Sequence, residues 1–218
     1  MKRLSLRALL SFSVALAFSL TGCRNLEYSA YEKLGIYKRD LLKKRVTAAR
    51  DAEHGAQQEF KDALTRLKEM TGFEGGELEK RYRQLQSDYD DAASRVTAVH
   101  KRVSDVETVA GDLFTEWEKE NQQIETAELR RISRKQLDDT RQRYDAMLAA
   151  LKRSEQSMDP VLHKLRDYVL ALKHTLNAEA IAALGNESVK IQSDIARLIE
   201  DMNTSIAHAD EFIRQMPK

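Results

Sequence analysis

LEKRYRQLQSDYDDAASRVTAVHKRVSDVETVAGDLFTEW, residues 78–117, is the stretch whose reading decides the fold. Its apolar side chains fall at Leu78, Tyr82, Leu85, Tyr89, Ala92, Val96, Val99, Val103, Val106, Ala110, Leu113 and Trp117, in alternating steps of four and three. A sustained repeat averaging 3.5 residues is the pattern of a left-handed coiled coil. The helix it predicts runs from Glu77 to about Ile124, on the order of 70 Å at about 1.5 Å per residue. A helix that long keeps its apolar seam dry only against neighbouring helices or another subunit.

Outward from this segment the same logic repeats. Upstream, Leu42, Val46, Ala49, Ala52, Ala56, Phe60, Ala63, Leu67 and Met70 recur every three or four residues and predict a helix from Lys38 to Met70. Gly72, Gly75 and Gly76 then break it and suit the tip of a hairpin. Downstream, a turn is expected at Glu125 to Glu128. A third helix is expected to about Ser157, with Ile132, Leu137, Tyr144, Leu148 and Leu151 inward. In Met158-Asp159-Pro160, Asp159 reads as an N-cap and Pro160 as a first helical residue, so a fourth helix is expected there. Asn177 can cap a fifth, from Ala178 to about Met216, with Gly185 as a kink or a close helix crossing. The expectation is an all-α, elongated antiparallel bundle or coiled coil of about five helices, forming one domain over residues 38–218.

The first 22 residues read differently. Lys2, Arg3 and Arg7 precede an apolar stretch from Ala8 to Leu20 that is too short to span a bilayer as a helix and fits the apolar core of an export signal. Leu20-Thr21-Gly22-Cys23 follows and resembles the bacterial lipobox. There an aliphatic residue and two small ones let a peptidase reach the backbone, and the cysteine thiol takes a diacylglycerol. Cys23 is the only cysteine, so it forms no internal disulfide. The reading is a signal peptide over residues 1–22, then a lipidated cysteine and tether over residues 23–37. Several acyl chains on Cys23 satisfy the need for more than one lipid in stable anchoring. Arg24, where an Asp resembles an inner-membrane retention signal, points to the outer membrane with the body in the periplasm.

Setting aside Lys2, Arg3 and Arg7 leaves 33 of the 36 basic residues against 35 acidic ones. That balance gives no electrostatic case for nucleic acid. Tyr28 and Tyr31 either lie at the headgroup level or cap the end of the helical core. Lys38, Arg39, Lys43, Lys44 and Arg45 begin about 15 residues after Cys23 and can meet anionic headgroups, or serve as a solvated helix face. A second basic cluster, Arg130, Arg131, Arg134 and Lys135, has the same two readings. Asp90-Asp91 and Asp138-Asp139 lie among cations, which suits ion pairs better than acid–base work. The histidines His54, His100, His163, His174 and His208 show no ligand spacing, so no metal site is expected. No nucleophile elbow or phosphate loop occurs, so no enzyme and no cofactor is expected. The expected function is a non-enzymatic envelope scaffold, spacer or adaptor. Its partners would be a membrane, reached through the lipid, and an envelope protein or a second copy. The alternative is a helical protein that binds lipids or other amphiphiles.

Several runs carry a family resemblance. They are Tyr31-Glu32-Lys33-Leu34-Gly35 with Lys38-Arg39-Asp40, Phe73-Glu74-Gly75-Gly76, Leu113-Phe114-Thr115-Glu116-Trp117-Glu118, Met158-Asp159-Pro160-Val161-Leu162, and Leu172-Lys173-His174-Thr175-Leu176-Asn177-Ala178. Together they resemble a proteobacterial family of exported proteins catalogued only as a domain of unknown function. The resemblance covers nearly all of the chain after Cys23. It implies an envelope protein with a helical body and brings no catalytic residues.

Overall fold

A computed structural model describes residue 28 and residues 37–70, 78–173 and 178–216. Four helices carry the described chain: α1 Lys38–Met70, α2 Leu78–Gln123, α3 Ala127–Lys173 and α4 Ala178–Gln215. The chain divides into two compact units, residues 1–41 and 42–218. In the first, Tyr28 is buried with the Lys38 ammonium 4.9 Å from its ring centre. Tyr37 opens α1 by accepting the amides of Asp40 and Leu41, and Asp40 reaches back to the Tyr37 N–H as in a capping box.

The second unit is a four-helix bundle in which chain neighbours pack antiparallel. Arg45 meets Asp105, Glu59 meets Arg95 and Arg66 meets Asp88, so α1 and α2 run in opposite directions. Glu118–Arg141 and Glu107–Lys152 do the same for α2 and α3, as Ser157–Asp201 and Lys164–Asp194 do for α3 and α4. Arg50–Asp210 and Gln57–Asn203 close the ring between α1 and α4.

The four-and-three repeat of residues 78–117 is the wall of this core. Ala92, Val96, Val99, Val103, Val106, Ala110 and Leu113 are all buried, while Tyr89 and Trp117 are half-buried. Every other helix carries the same repeat. On α3 it runs Tyr144, Met147, Leu151, Ser154, Met158, Val161, Leu165, Tyr168, Leu172, and on α4 Ser188, Ile191, Ile195, Leu198, Met202, Ser205, Ala209, Phe212, Met216. The stretch of α2 that α1 is too short to cover is closed by an aromatic cluster. Tyr144 sits edge-on between Phe114 and Phe212, at centroid distances of 5.3 and 6.2 Å. Past Phe114, α2 and α3 continue as a hairpin in which, over residues 115–143, only Asn121 and Leu137 are buried. Trp117 packs there and donates its indole N–H to the Ser133 hydroxyl at 3.0 Å.

Three expectations change. The described helices number four rather than five, because Pro160 lies inside α3 and no break occurs at Asp159. The ring of Pro160 costs the Gln156 carbonyl its partner. Yet Ser154, Met158, Val161 and Leu165 carry the seam straight through, and Pro160 faces solvent, where a gentle bend is tolerated. Ile132, expected inward, is 42% exposed, since it lies on the hairpin beyond the aromatic cluster. Gly185 marks no close crossing, because a side chain added there would meet nothing within 4 Å. The export signal, the glycine-rich tip and the Asn177 cap lie outside the described residues.

Replacing Pro160 by Ala should restore the bond to the Gln156 carbonyl and stabilise the bundle by up to about 3 kcal/mol. A thermal melt reads this as a raised midpoint. An unchanged or lower midpoint would mean that the chain breaks at Asp159 after all. Val103→Asp, at a position 1% exposed, should unfold the bundle, because an unpaired carboxylate in the core costs several kcal/mol; loss of the helical circular dichroism signal at room temperature checks it.

Candidate functional site

The repeat on α1 runs Leu42, Val46, Ala49, Glu53, Ala56, Phe60, Ala63, Leu67, Met70, and every member is 0% exposed. Glu53 thus occupies a core position. It is the only carboxylate among the buried residues described. Two hydroxyls lie at the same level, Ser154 on α3 and Ser205 on α4, and both are also fully buried. Through this stretch α2 offers the valines Val96, Val99, Val103 and Val106. The layer is therefore a polar island of one carboxyl and two hydroxyls, contributed by three helices and sealed in an apolar core.

None of these oxygens completes a hydrogen bond: Glu53 Oε1 and Oε2, Ser154 Oγ and Ser205 Oγ all lack a partner. Burial disfavours the charged carboxylate and pushes the Glu53 carboxyl from its ordinary 4.5 up to about 7. The Ser205 and Ser154 hydroxyls offset this in part, and the negative charge of Glu155 adds to it. The hydroxyls are thus near enough to ease the charge without reaching full hydrogen-bond geometry. What the layer can do chemically is hold a proton and release it close to neutral pH.

Its surroundings are engaged elsewhere. One turn along α1, Gln57 donates to the Asn203 side-chain oxygen at 2.8 Å and to the Ile199 carbonyl at 3.4 Å, and accepts from the Lys61 ammonium at 2.9 Å. Arg50, one turn the other way, pairs with Asp51 and Asp210, each at 2.7 Å. On the α2–α3 face His100 sits between Glu155 at 2.8 Å and Asp159 at 3.3 Å. Burial would lower the imidazole's proton affinity, but the two carboxylates outweigh it and hold it above the ordinary value. Asp159 thus ties α3 to α2 instead of capping a helix. A lesser polar position lies nearer the other end of α3 and α4, where the buried Tyr168 phenol meets Ser188, itself bonded to Gln192 at 3.1 Å.

Of the residues that the sequence singled out, Leu20, Thr21, Gly22, Cys23 and Tyr31 lie outside the described residues. Lys38, Lys43 and Arg45 are half-buried, and Arg39 and Lys44 exposed. Arg39 lies 3.7 Å from Asp40, and Arg45 3.6 Å from Asp105. In the second basic cluster Arg131 pairs with Glu128 and Lys135 with Asp139, while Arg130 bonds the Ile124 carbonyl at 2.8 Å. Arg130 and Arg134 line an open depression on the hairpin together with Glu118, Asn121, Gln122 and Leu137. Among the described residues no group of three or more His, Cys, Asp or Glu side chains is placed to hold a metal ion. No described helix is long and apolar enough to cross a membrane.

Glu53 itself escaped the sequence reading, which took Ala52 as the seam position. Ala52 is half-buried. The signal was present: strict alternation from Leu42 to Met70 lands on Glu53 and skips Ala52.

The titration of Glu53 gives the bundle a pH-dependent stability. A carboxyl whose folded value is raised is protonated in both states below about 4.5. Between there and about 7 only the unfolded chain ionises, so stability falls as pH rises through that window and then levels off. The displacement from 4.5 to about 7 corresponds to about 3 kcal/mol. His100 acts in the same direction, since a raised imidazole loses its contribution as pH climbs past its folded value. Denaturant melts across this range should show wild-type stability declining and Glu53→Gln nearly flat apart from the His100 share. Parallel slopes in the two proteins would remove Glu53 as the cause.

No protein of curated function and no solved structure matches the chain. The family described as "Protein of unknown function (DUF2959)" matches residues 27–216, which includes all four helices, and the chain belongs to that family.

Proposed function

We propose that the chain is the precursor of a membrane-tethered, non-enzymatic envelope lipoprotein, whose helical bundle serves as a periplasmic spacer, scaffold or adaptor. The observation that carries this reading is the placement of a lone, lipobox-like Cys23 about 15 residues before a long helical bundle that covers its own apolar seam. Support also comes from the surface. The outward charges of α1 to α4 are largely spent on each other in pairs such as Arg45–Asp105, Lys152–Glu107 and Lys164–Asp194. A body of this kind suits holding a partner at a set distance from a membrane. The partner is a protein of the envelope or a second copy of the chain, and the address is the periplasmic face of the outer membrane.

A second reading, binding of lipid or another amphiphile within an opened bundle, draws support from the polar layer at Glu53. A core interrupted by an unsatisfied carboxyl costs less to open than a wholly apolar one.

Cys23→Ser should leave an unprocessed species that no longer incorporates labelled fatty acid and leaves the outer-membrane fraction on density separation. Equal labelling of mutant and wild type would refute the lipoprotein assignment. The soluble body, residues 24–218, separates the two readings by vesicle flotation: a spacer stays in solution, and an amphiphile binder rises with the vesicles.

A further inference from the structure

We propose that the Glu53–Ser154–Ser205 layer is a proton-controlled latch on α1: the protonated carboxyl keeps α1 seated against α3 and α4, and its ionisation frees α1 from a core that α2, α3 and α4 retain among themselves.

The asymmetry of the bundle singles out α1 as the helix that moves. The closest backbone approaches in the bundle are between α2 and α3 and between α3 and α4. α1 is held through its side chains, and the seam positions on either side of Glu53 are small, Ala49 and Ala56, before Val46 and Phe60 follow. Small side chains bury little apolar area, so this stretch of α1 contributes less hydrophobic hold than the Val, Leu, Ile and Met positions facing it. Beside the layer α1 is joined to α4 by polar pairs, Arg50 to Asp210 and Gln57 to Asn203 and the Ile199 carbonyl, while its large apolar side chains, Leu42, Phe60, Leu67 and Met70, lie towards its two ends. Water can take over such contacts when the helices part, which it cannot do for a buried apolar seam.

The layer also has no internal remedy for a negative charge. On α1 the nearest cation, Arg50, is held by Asp51 and Asp210, and Lys61 is bonded to Gln57. On α2, His100 is held by Glu155 and Asp159. On α3 the charge of Glu155 repels a carboxylate at Glu53. On α4 the charged residues of the flanking turns are Asp201, bonded to Ser157, and Asp210. No cation is among the groups that act on the Glu53 carboxyl, and His54, Lys101, Arg153 and His208, which flank the layer on the four helices, are exposed, so only water can stabilise the charge. Admitting water means separating α1 from α3 and α4. Burial brings this ionisation to about neutral pH, within the range a cell envelope experiences.

The latch stands on the geometry of the layer. Its use in taking up an amphiphile along the exposed seam rests on the second reading above, and the two are tested separately. Hydrogen exchange of the full-length protein in mild detergent is followed by mass spectrometry at about pH 5.5 and about pH 8, with rates corrected for intrinsic exchange. Peptides of α1 should exchange at least on the order of tenfold faster at the higher pH and end well below the protection of α2 to α4, which is lowered only by the loss of global stability. Glu53→Gln, or Glu53→Met if the first variant folds poorly, should remove the difference. Protection that falls to one common level in all four helices would mean that the buried charge lowers global stability without releasing α1, and would overturn the latch. So would a pH response that survives in the neutral variants, or no response in the wild type. Flotation of the unlipidated bodies, residues 24–218 with and without the Glu53 substitution, with phosphatidylglycerol vesicles at the two pH values then reads the amphiphile step alone. A latch that opens without vesicle binding refutes that use and leaves the latch intact.

Discussion

Helices of 33 to 47 residues survive in water only if each hides its apolar stripe, and here each stripe is hidden by the other three. Long isolated helices gain little from propensity alone, so packing of the amphipathic face supplies most of their stability. The repeat of 3.5 residues keeps that face on one side of each helix over the whole run. Chain order then does the rest. Short connections make successive helices antiparallel neighbours, and the ring closes when α4 meets α1 through Arg50–Asp210 and Gln57–Asn203.

Within that constraint the layer at Glu53 is the exception that gives the core a chemistry. An all-apolar seam of repeated heptads tolerates sliding by one repeat, because every layer resembles the next. One carboxyl and two hydroxyls at matching positions on α1, α3 and α4 mark a single register, as a lone polar residue does in simpler coiled coils. The same layer carries an energetic cost that grows with pH, because the carboxyl is easily buried only while neutral. Structural specificity and sensitivity to protons thus come from the same three side chains.

The surface works at a lower energy scale. Exposed pairs within one helix, such as Arg131–Glu128 and Lys135–Asp139, are screened by water and contribute little, so they do not hold the bundle together. Such pairs lend their own helix a small local support. The pairs that cross between helices, with Arg45, Arg50, Arg66 and Lys164 as the cations, report which helix lies beside which. These cross-helix charges are thus part of the fold.

From the sequence alone, the limits of α1 at Lys38 and Met70 and the seam of α2 were legible, because a periodic apolar pattern is a local property of the chain. So was the all-helical class, since glycine and proline are scarce and the repeat never switches to alternation. Tertiary structure decided the remainder. Pro160 reads as a helix start wherever it follows Asp159, and only the continuous packing of Ser154, Met158, Val161 and Leu165 against other helices keeps α3 whole across it. Ser154 and Ser205 lie 51 positions apart in the chain, and nothing local says that they share a layer. Glu53 was within reach of a stricter reading of the repeat, but a glutamate is by default a solvent-facing residue. Its burial follows from three other helices closing over it, and the proton affinity that this burial sets is a property of the folded core, not of the residue.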